Sequence, residues 1–186
     1  MDQRGIVERA RRGDHDAFAD LIDGRLARLD AAARLILRDG ELARDAVQET
    51  MIRAWRDLPG LRDPDRFDAW LQRLLANACL DLVRRRKRRV IEVELTPIHA
   101  PATIDIATGL ADRELLDQAL AGLAPGHRAV VALHYLLGMP LPEVAAALAI
   151  PLGTAKSRLH YALAAMRISV TAGLDTAPAT VAGGLA

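Results

Sequence analysis

LPEVAAALAIPLGTAKSRLHYAL, residues 141–163, decides how this chain folds. Leu141, Val144, Ala145 and Leu148 fall at i, i+3, i+4 and i+7, the spacing that lines apolar side chains along one face of a helix. The spacing breaks over Ala149, Ile150, Pro151 and Leu152, then resumes with Ala155, Leu159, Ala162, Leu163 and Met166. Two short amphipathic helices joined by a tight turn make a helix-turn-helix. At about 100° per residue, the apolar stripe of the second helix leaves Ser157, His160 and Tyr161 opposite it, Thr154 near its start, and Lys156 and Arg158 on the flanks. Hydrogen-bonding groups in the centre with positive charge to either side suit a helix lying in a major groove, where base edges are read in the middle and phosphates line both walls. A solvated polar face on an ordinary helical hairpin has the same pattern, so this stretch alone leaves both readings open.

Composition narrows the class. With 186 residues there is room for one or two domains, and 51% apolar residues with only 3% aromatics suit Ala- and Leu-rich helices packed through small side chains. No apolar run approaches the roughly 18 residues of a membrane span, and MDQRGIVERARRG lacks the apolar centre of a signal peptide. The expectation is a cytoplasmic protein with no direct membrane insertion. The single cysteine, Cys79, has no partner for an internal disulfide and reads as a small buried hydrophobe. No Cys/His cluster has metal-ligand spacing, and the acidic residues are spread along amphipathic helices. No metal, cofactor or catalytic residue is therefore legible in the spacing, which leaves a cluster formed in space open, and no small-molecule substrate is expected.

A net charge of +1 conceals an asymmetry. Before residue 91 there are 20 Lys and Arg against 16 Asp and Glu, and after it 5 against 8, so the two parts carry +4 and −3. The positive charge is concentrated in Arg84, Arg85, Arg86, Lys87, Arg88 and Arg89. Adjacent cations repel one another unless a polyanion is near. Because this run continues a strongly periodic helix, it points to a nucleic-acid surface rather than a disordered basic tail.

In chain order, residues 3–12 read as a short helix ended by Gly13, with Asp14 as N-cap of the next. That second helix carries Phe18, Leu21, Ile22, Leu26, Leu29, Ala33 and Ile36 and stops near Asp39 and Gly40. A third, from Glu41 to about Leu58, buries Leu42, Ala46, Val47, Met51, Ala54 and Trp55 and presents Asp45, Gln48, Glu49 and Arg53 outward. LPGLRDPDR, residues 58–66, reads as a loop. Phe67, Trp70, Leu71, Leu74, Leu75, Ala78 and Leu82 then trace a fourth helix from about Asp65 into the basic run, with Phe67 and Trp70 as core anchors. Periodicity vanishes from Val90 to Gly109, a linker that spans roughly 25 Å as a coil and about 70 Å fully extended. Helices over Leu115–Leu123 and Val130–Leu137 precede the helix-turn-helix. The residues from Ser169 on have no strong pattern and are expected to form a frayed tail. The fold class is all-α: two small helical domains, 1–89 and 110–168, joined by a flexible linker at 90–109 and followed by a tail at 169–186.

Four segments in this order, GDHDAFADLI, RDAVQETMIRAW, RFDAWLQRLLANACLDLVRRRKRR and LAPGHRAVVALHYLLGMPLPEVAAALAIPLGTAKSRL, resemble the bacterial RNA polymerase sigma factors of the small extracytoplasmic-function group. The resemblance covers the chain to about residue 167. It implies a non-enzymatic promoter-specificity subunit whose partners are core RNA polymerase, promoter DNA and an anti-sigma factor. It makes Asp45, Gln48, Glu49 and Arg53 core polymerase-binding residues. Arg62, Arg66, Arg73, Asn77, Arg84, Arg85, Lys87 and Arg88 become contacts to the melted minus-10 element, with Asp81 matching the same DNA-facing segment. Thr154, Lys156, Ser157, Arg158, His160 and Tyr161 become the reader of the minus-35 duplex. The chain departs from the family pattern at Asp68, an acid near the DNA strand, and at Ala76, where many relatives are basic. It departs again at Ala149, a turn position usually held by glycine, and at Tyr161, often arginine.

A free-standing helix-turn-helix regulator is the alternative; it would need a dimerisation surface to match half-sites roughly 34 Å apart, and no coiled-coil repeat is visible. An enzyme acting on nucleic acid would need clustered carboxylates or a metal site.

Overall fold

A computed structural model describes residues 2–92 and 117–176, and every regular element among them is helical. Most of the expected linker and the end of the expected tail lie outside the described residues. Helix α1 (Gln3–Arg11) stops where Gly13 takes φ +92°. There the N–H groups of Gly13 and Asp14 return to Ala10 O and Arg9 O, which satisfies carbonyls the helix leaves open. The Asp14 carboxylate accepts from the Ala17 N–H at 3.0 Å and starts α2 (His15–Leu37). That backbone bond and the neighbouring Arg9 guanidinium hold its pKa below the usual carboxylate range. Helix α2 ends at Leu37, just short of the stop near Asp39 and Gly40, because Arg38 itself turns left-handed at φ 52°. Asp39 caps α3 (Gly40–Asp57) by accepting from Glu41 and Leu42.

The expected loop at 58–66 is more ordered than composition implies. It consists of two tight 3₁₀ turns, Leu58–Gly60 and Pro64–Arg66, which bury Leu58 and Pro64, and Asp63 caps the second. Helix α4 (Phe67–Glu92) follows, 26 residues and roughly 39 Å long. Helices α1 to α4 close around Leu21, Leu29, Ile36, Ala46, Phe67, Leu71, Leu75 and Cys79, all at or near complete burial. Phe67 is the anchor the sequence suggests, with Trp70 at 5.8 Å beside it and the Arg25 guanidinium 5.3 Å above its ring. Trp55 is not in this core. It is half-buried at the rim, stacked on His15 at 4.3 Å and met edge-on by Phe18 at 5.1 Å. Burial pushes the Cys79 thiol up to about 12.

In the second domain residues 117–121 are helical, α5 (Pro125–Val131) opens after Ala124, and a π-helical turn, Ala132–Leu136, ends before Gly138 at φ +75°. The helix-turn-helix is α6 (Leu141–Ala147) and α7 (Leu152–Thr176). Its turn repeats the end of α1: Ala149 N–H reaches Ala146 O and Ile150 N–H reaches Ala145 O, with Ala149 left-handed at φ 53°. Alanine costs about 1 kcal/mol more than glycine in that conformation, which is the strain the departure at Ala149 implies. Helix α7 does not fray at Ser169; its backbone continues as helix to Thr176.

The two domains touch. Helix α2 packs on α5 and the π turn, and α4 packs on α6 and α5, so one hydrophobic cluster runs through both. The polar contacts between them are largely helix ends satisfied from across the boundary. Arg128 on α5, itself buried, donates from Nε to Ile36 O at 2.9 Å, one of the last carbonyls of α2, and from Nη1 to Leu123 O. In return Arg28 on α2 donates to Leu136 O at 2.7 Å, and Gln72 on α4 to Leu137 O at 3.3 Å, both where the π turn runs out of partners. Arg38 donates to Asp117 O at 2.8 Å. Each domain thus caps a helix of the other, and cations at helix C-termini gain from the helix dipole as well. Burial and the charge of Arg38 lower the Arg128 pKa to about 10, still far above neutrality, so the guanidinium remains charged.

Candidate nucleic-acid interface

Three groups of sequence-selected residues occupy different parts of this body. On α3, Asp45, Gln48 and Glu49 are exposed on the side left over once Ala43, Ala46, Val47 and Thr50 are buried. Arg53 is drawn back: its Nε meets Glu49 at 2.6 Å and its Nη1 lies 3.7 Å from Asp81 of α4. It braces the acidic face more than it presents itself.

Arg62, Arg66 and Arg73 share one groove with Trp70, about 480 Å³ in volume, at the start of α4. The opposite wall is Met139, just before the helix-turn-helix, and Glu143, Ala146 and Ala147 of its first helix. Arg66 reaches across it to Glu143 at 3.4 Å. Further along α4, Arg73, Asn77, Arg84, Lys87 and Arg88 fall within roughly 100° of helix face, and all are exposed. Arg85 lies off that strip. It lines a small concavity with Asp45, Glu49, Arg53 and Asp81, beside the acidic face of α3. Arg84 pairs with Asp81 at 3.1 Å, and Arg86 turns to Asp39 at 3.3 Å. The basic run is therefore wound around the helix and divided between faces.

Two departures find physical explanations here. Asp68 does not confront a DNA strand alone; its carboxylate accepts from Arg25 Nε and, at 3.3 Å, from Gln3. Partial burial works to raise its pKa, and the bond and charge of Arg25 outweigh that, so it stays below the ordinary value. Ala76 is completely buried, so a long basic side chain there would have to displace core.

On α7, Lys156, Ser157, His160 and Tyr161 are exposed, Thr154 and Arg158 partly so, while Ala155 and Ala162 are buried beneath. This is the face the periodicity assigns. The face is also contacted from outside: the His127 ring of α5 lies 5.1 Å from that of Tyr161. Sequence reasoning passed over His127, Arg128, Arg38 and Glu143. Only Arg128 left a trace, since it shares a helical face with Val131 and Ala132, an apolar position for a charged residue.

Among the described residues no group of His, Cys, Asp and Glu is arranged to hold a metal ion, and no helix is long and apolar enough to cross a membrane.

Two family models match the chain, one in each half. The family model described as Sigma-70 region 2 matches residues 12–89, and that described as Sigma-70, region 4 matches residues 113–166. The chain is 35% identical over 153 residues to the ECF RNA polymerase sigma factor SigL of Mycobacterium tuberculosis, covering 81% of this chain and 86% of that one. It is 36% identical over 151 residues to the RNA polymerase sigma-E factor of Streptomyces avermitilis, covering 81% and 83%. Among solved structures, CnrH in complex with the cytosolic domain of CnrY superposes with a TM-score of 0.63 at 30% identity, over 93% of this chain and 97% of that one. The sigma factor RpoE in complex with the anti-sigma factor NepR from Bartonella quintana gives 0.68 at 25% identity, over 85% and 98%.

Proposed function

The chain belongs to the sigma-70 family of RNA polymerase sigma factors, in its extracytoplasmic-function group, and from that premise we propose that it is a promoter-specificity subunit acting in the cytoplasm. It binds core RNA polymerase through the exposed acidic and amide face of α3, Asp45, Gln48 and Glu49, with Arg53 holding Glu49 in place. The groove of Arg62, Arg66 and Arg73, continued by Asn77, Arg84, Lys87 and Arg88, holds the melted minus-10 strand. Arg85 belongs with the polymerase face, on the strength of its neighbours. The exposed face of α7, Thr154, Lys156, Ser157, Arg158, His160 and Tyr161, reads the minus-35 duplex. The domain at 1–89 carries polymerase binding and the minus-10 strand, and that at 110–168 the minus-35 duplex.

The observation that carries this reading is the coexistence, on one chain, of a cation-lined groove beside a tryptophan and a separate recognition helix, in the order of the two matched family regions. Holding single-stranded DNA needs phosphate neutralisation and unstacking of a base at a few kcal/mol, both within reach of such a groove. Nucleotide transfer is left to the polymerase. Elements about 25 base pairs apart lie roughly 80 Å apart along a duplex, whereas α4 and α6 are in contact here. Engaging both elements therefore requires the domains to separate, and polymerase is the scaffold that holds them apart. An anti-sigma partner, as in the Bartonella complex, would act by covering these surfaces.

Run-off transcription with core polymerase over a promoter library tests the proposal. Defined start sites that depend on this chain are expected. Failure to start transcripts anywhere, together with tight duplex binding by the chain alone that polymerase does not alter, would instead favour the free-standing regulator.

A further inference from the structure

The polar face of α7 is shaped by a helix that is not part of the helix-turn-helix. At the start of α5, a Cβ added to Gly126 would lie 3.1 Å from Arg158 Nη1 and 3.5 Å from its Cζ, so the bare α-carbon leaves the space that this guanidinium fills. The next residue, His127, sets its ring 5.1 Å from that of Tyr161, tilted by 46°. Tyr161 is otherwise 62% exposed, and Ser157, one turn before it, spends its hydroxyl on Thr154 O at 3.0 Å. The backbone of α7 restricts χ1 of the Tyr161 ring to two wells, and a ring packed from α5 selects further between them. Burial, then the charge of Arg158, holds His127 below its ordinary pKa, which favours the uncharged ring beside that guanidinium.

Resting on the reading of α7 as the duplex reader, we propose that His127 is a positioning residue for promoter specificity: from α5 it fixes the Tyr161 ring against the duplex, beside the Arg158 guanidinium that Gly126 accommodates. A side chain held in its bound rotamer before the encounter loses less conformational freedom on binding. Discrimination at the base pair under Tyr161 then depends on a residue outside the recognition helix.

The test uses the full chain bound to core polymerase and a duplex pool randomised across the distal element, with the retained fraction sequenced. His127→Ala should flatten preference at the same base pair as Tyr161→Ala, by about two- to tenfold, the range expected for an aromatic pair. His127→Phe, which keeps a ring, should restore it, and His127→Ala/Tyr161→Ala should be no flatter than Tyr161→Ala alone. The salt dependence of binding and the melting temperature should stay those of the parent. The proposal is overturned if His127→Ala keeps the parental preference while Tyr161→Ala loses it, if the two effects multiply, or if His127→Phe fails to rescue. Should Tyr161→Ala and Arg158→Ala both leave distal-element binding unchanged, the assignment of α7 itself is wrong, a pattern distinct from failure at His127 alone.

Discussion

The two faces proposed for DNA stand in opposite conditions. The recognition face of α7 is open, its central residues exposed, with α5 touching it at Tyr161 and Arg158. The groove at the start of α4 is half made of the other domain, with Glu143 placed against Arg66 and α6 forming a wall. Duplex reading is compatible with the packed arrangement, and strand capture with the same groove is not. What separates them is the set of exchanged helix caps, so the contrast is an equilibrium between packed and parted domains that substitutions can move.

The strongest way to break the contrast is to remove one side of it. Phe67→Ala deletes a completely buried ring where α4 begins and should destabilise the first domain by about 3–5 kcal/mol. Denaturant unfolding should register that loss, and polymerase binding should fall with it. Next in size is Arg128→Met, which keeps apolar bulk but strips buried carbonyls of Ile36 and Leu123 of their donor, at about 1–3 kcal/mol each. Solution scattering should show a larger radius of gyration. An unchanged radius would mean that apolar contacts alone hold the domains together.

Asp45→Ala or Gln48→Ala should weaken polymerase binding by about 1 kcal/mol or more while leaving the melting temperature unchanged, because both side chains lie outside the core. Arg158→Ala should weaken duplex binding on all sequences alike and lower the slope of log affinity against log salt by about one, whereas Ser157→Ala should alter base preference. The smallest effect is one of pH. The folded His127 binds a proton less readily than the unfolded chain, so its contribution is intact above about pH 6.5 and declines as pH falls through that value towards the lower folded one. His127→Phe should remove that part of the acid sensitivity in thermal melts taken between neutral and mildly acidic pH.

Helix existence and caps were legible because their signals are local. Asp14 and Gly13 are side-chain or backbone choices made within a few residues of the structure they produce, whereas Asp39, which the sequence marks only as a helix stop, proves to cap the next helix. The apolar stripe likewise placed Ser157, His160 and Tyr161 on the outer face of α7 correctly. Trp55 went astray because position on a helical wheel does not say where a helix bundle ends, and its place at the rim is set by His15 and Phe18. The basic run looked like one patch because six adjacent letters hide a 100° step per residue, which sends Arg85 and Arg86 away from Arg84 and Arg88. The cross-domain caps were invisible for a deeper reason. Their acceptors are the carbonyls of Ile36, Leu136 and Leu137, which every residue possesses, so no side-chain pattern advertises them.

The lone thiol offers a clock that needs no engineering. Cys79 is sealed in the four-helix core, its ionisation suppressed by burial, and the chain contains no second cysteine to confuse the signal. Its alkylation rate therefore times transient exposure of the first domain's interior, and comparing that rate with and without polymerase would reveal whether docking tightens the core or merely draws its neighbour away.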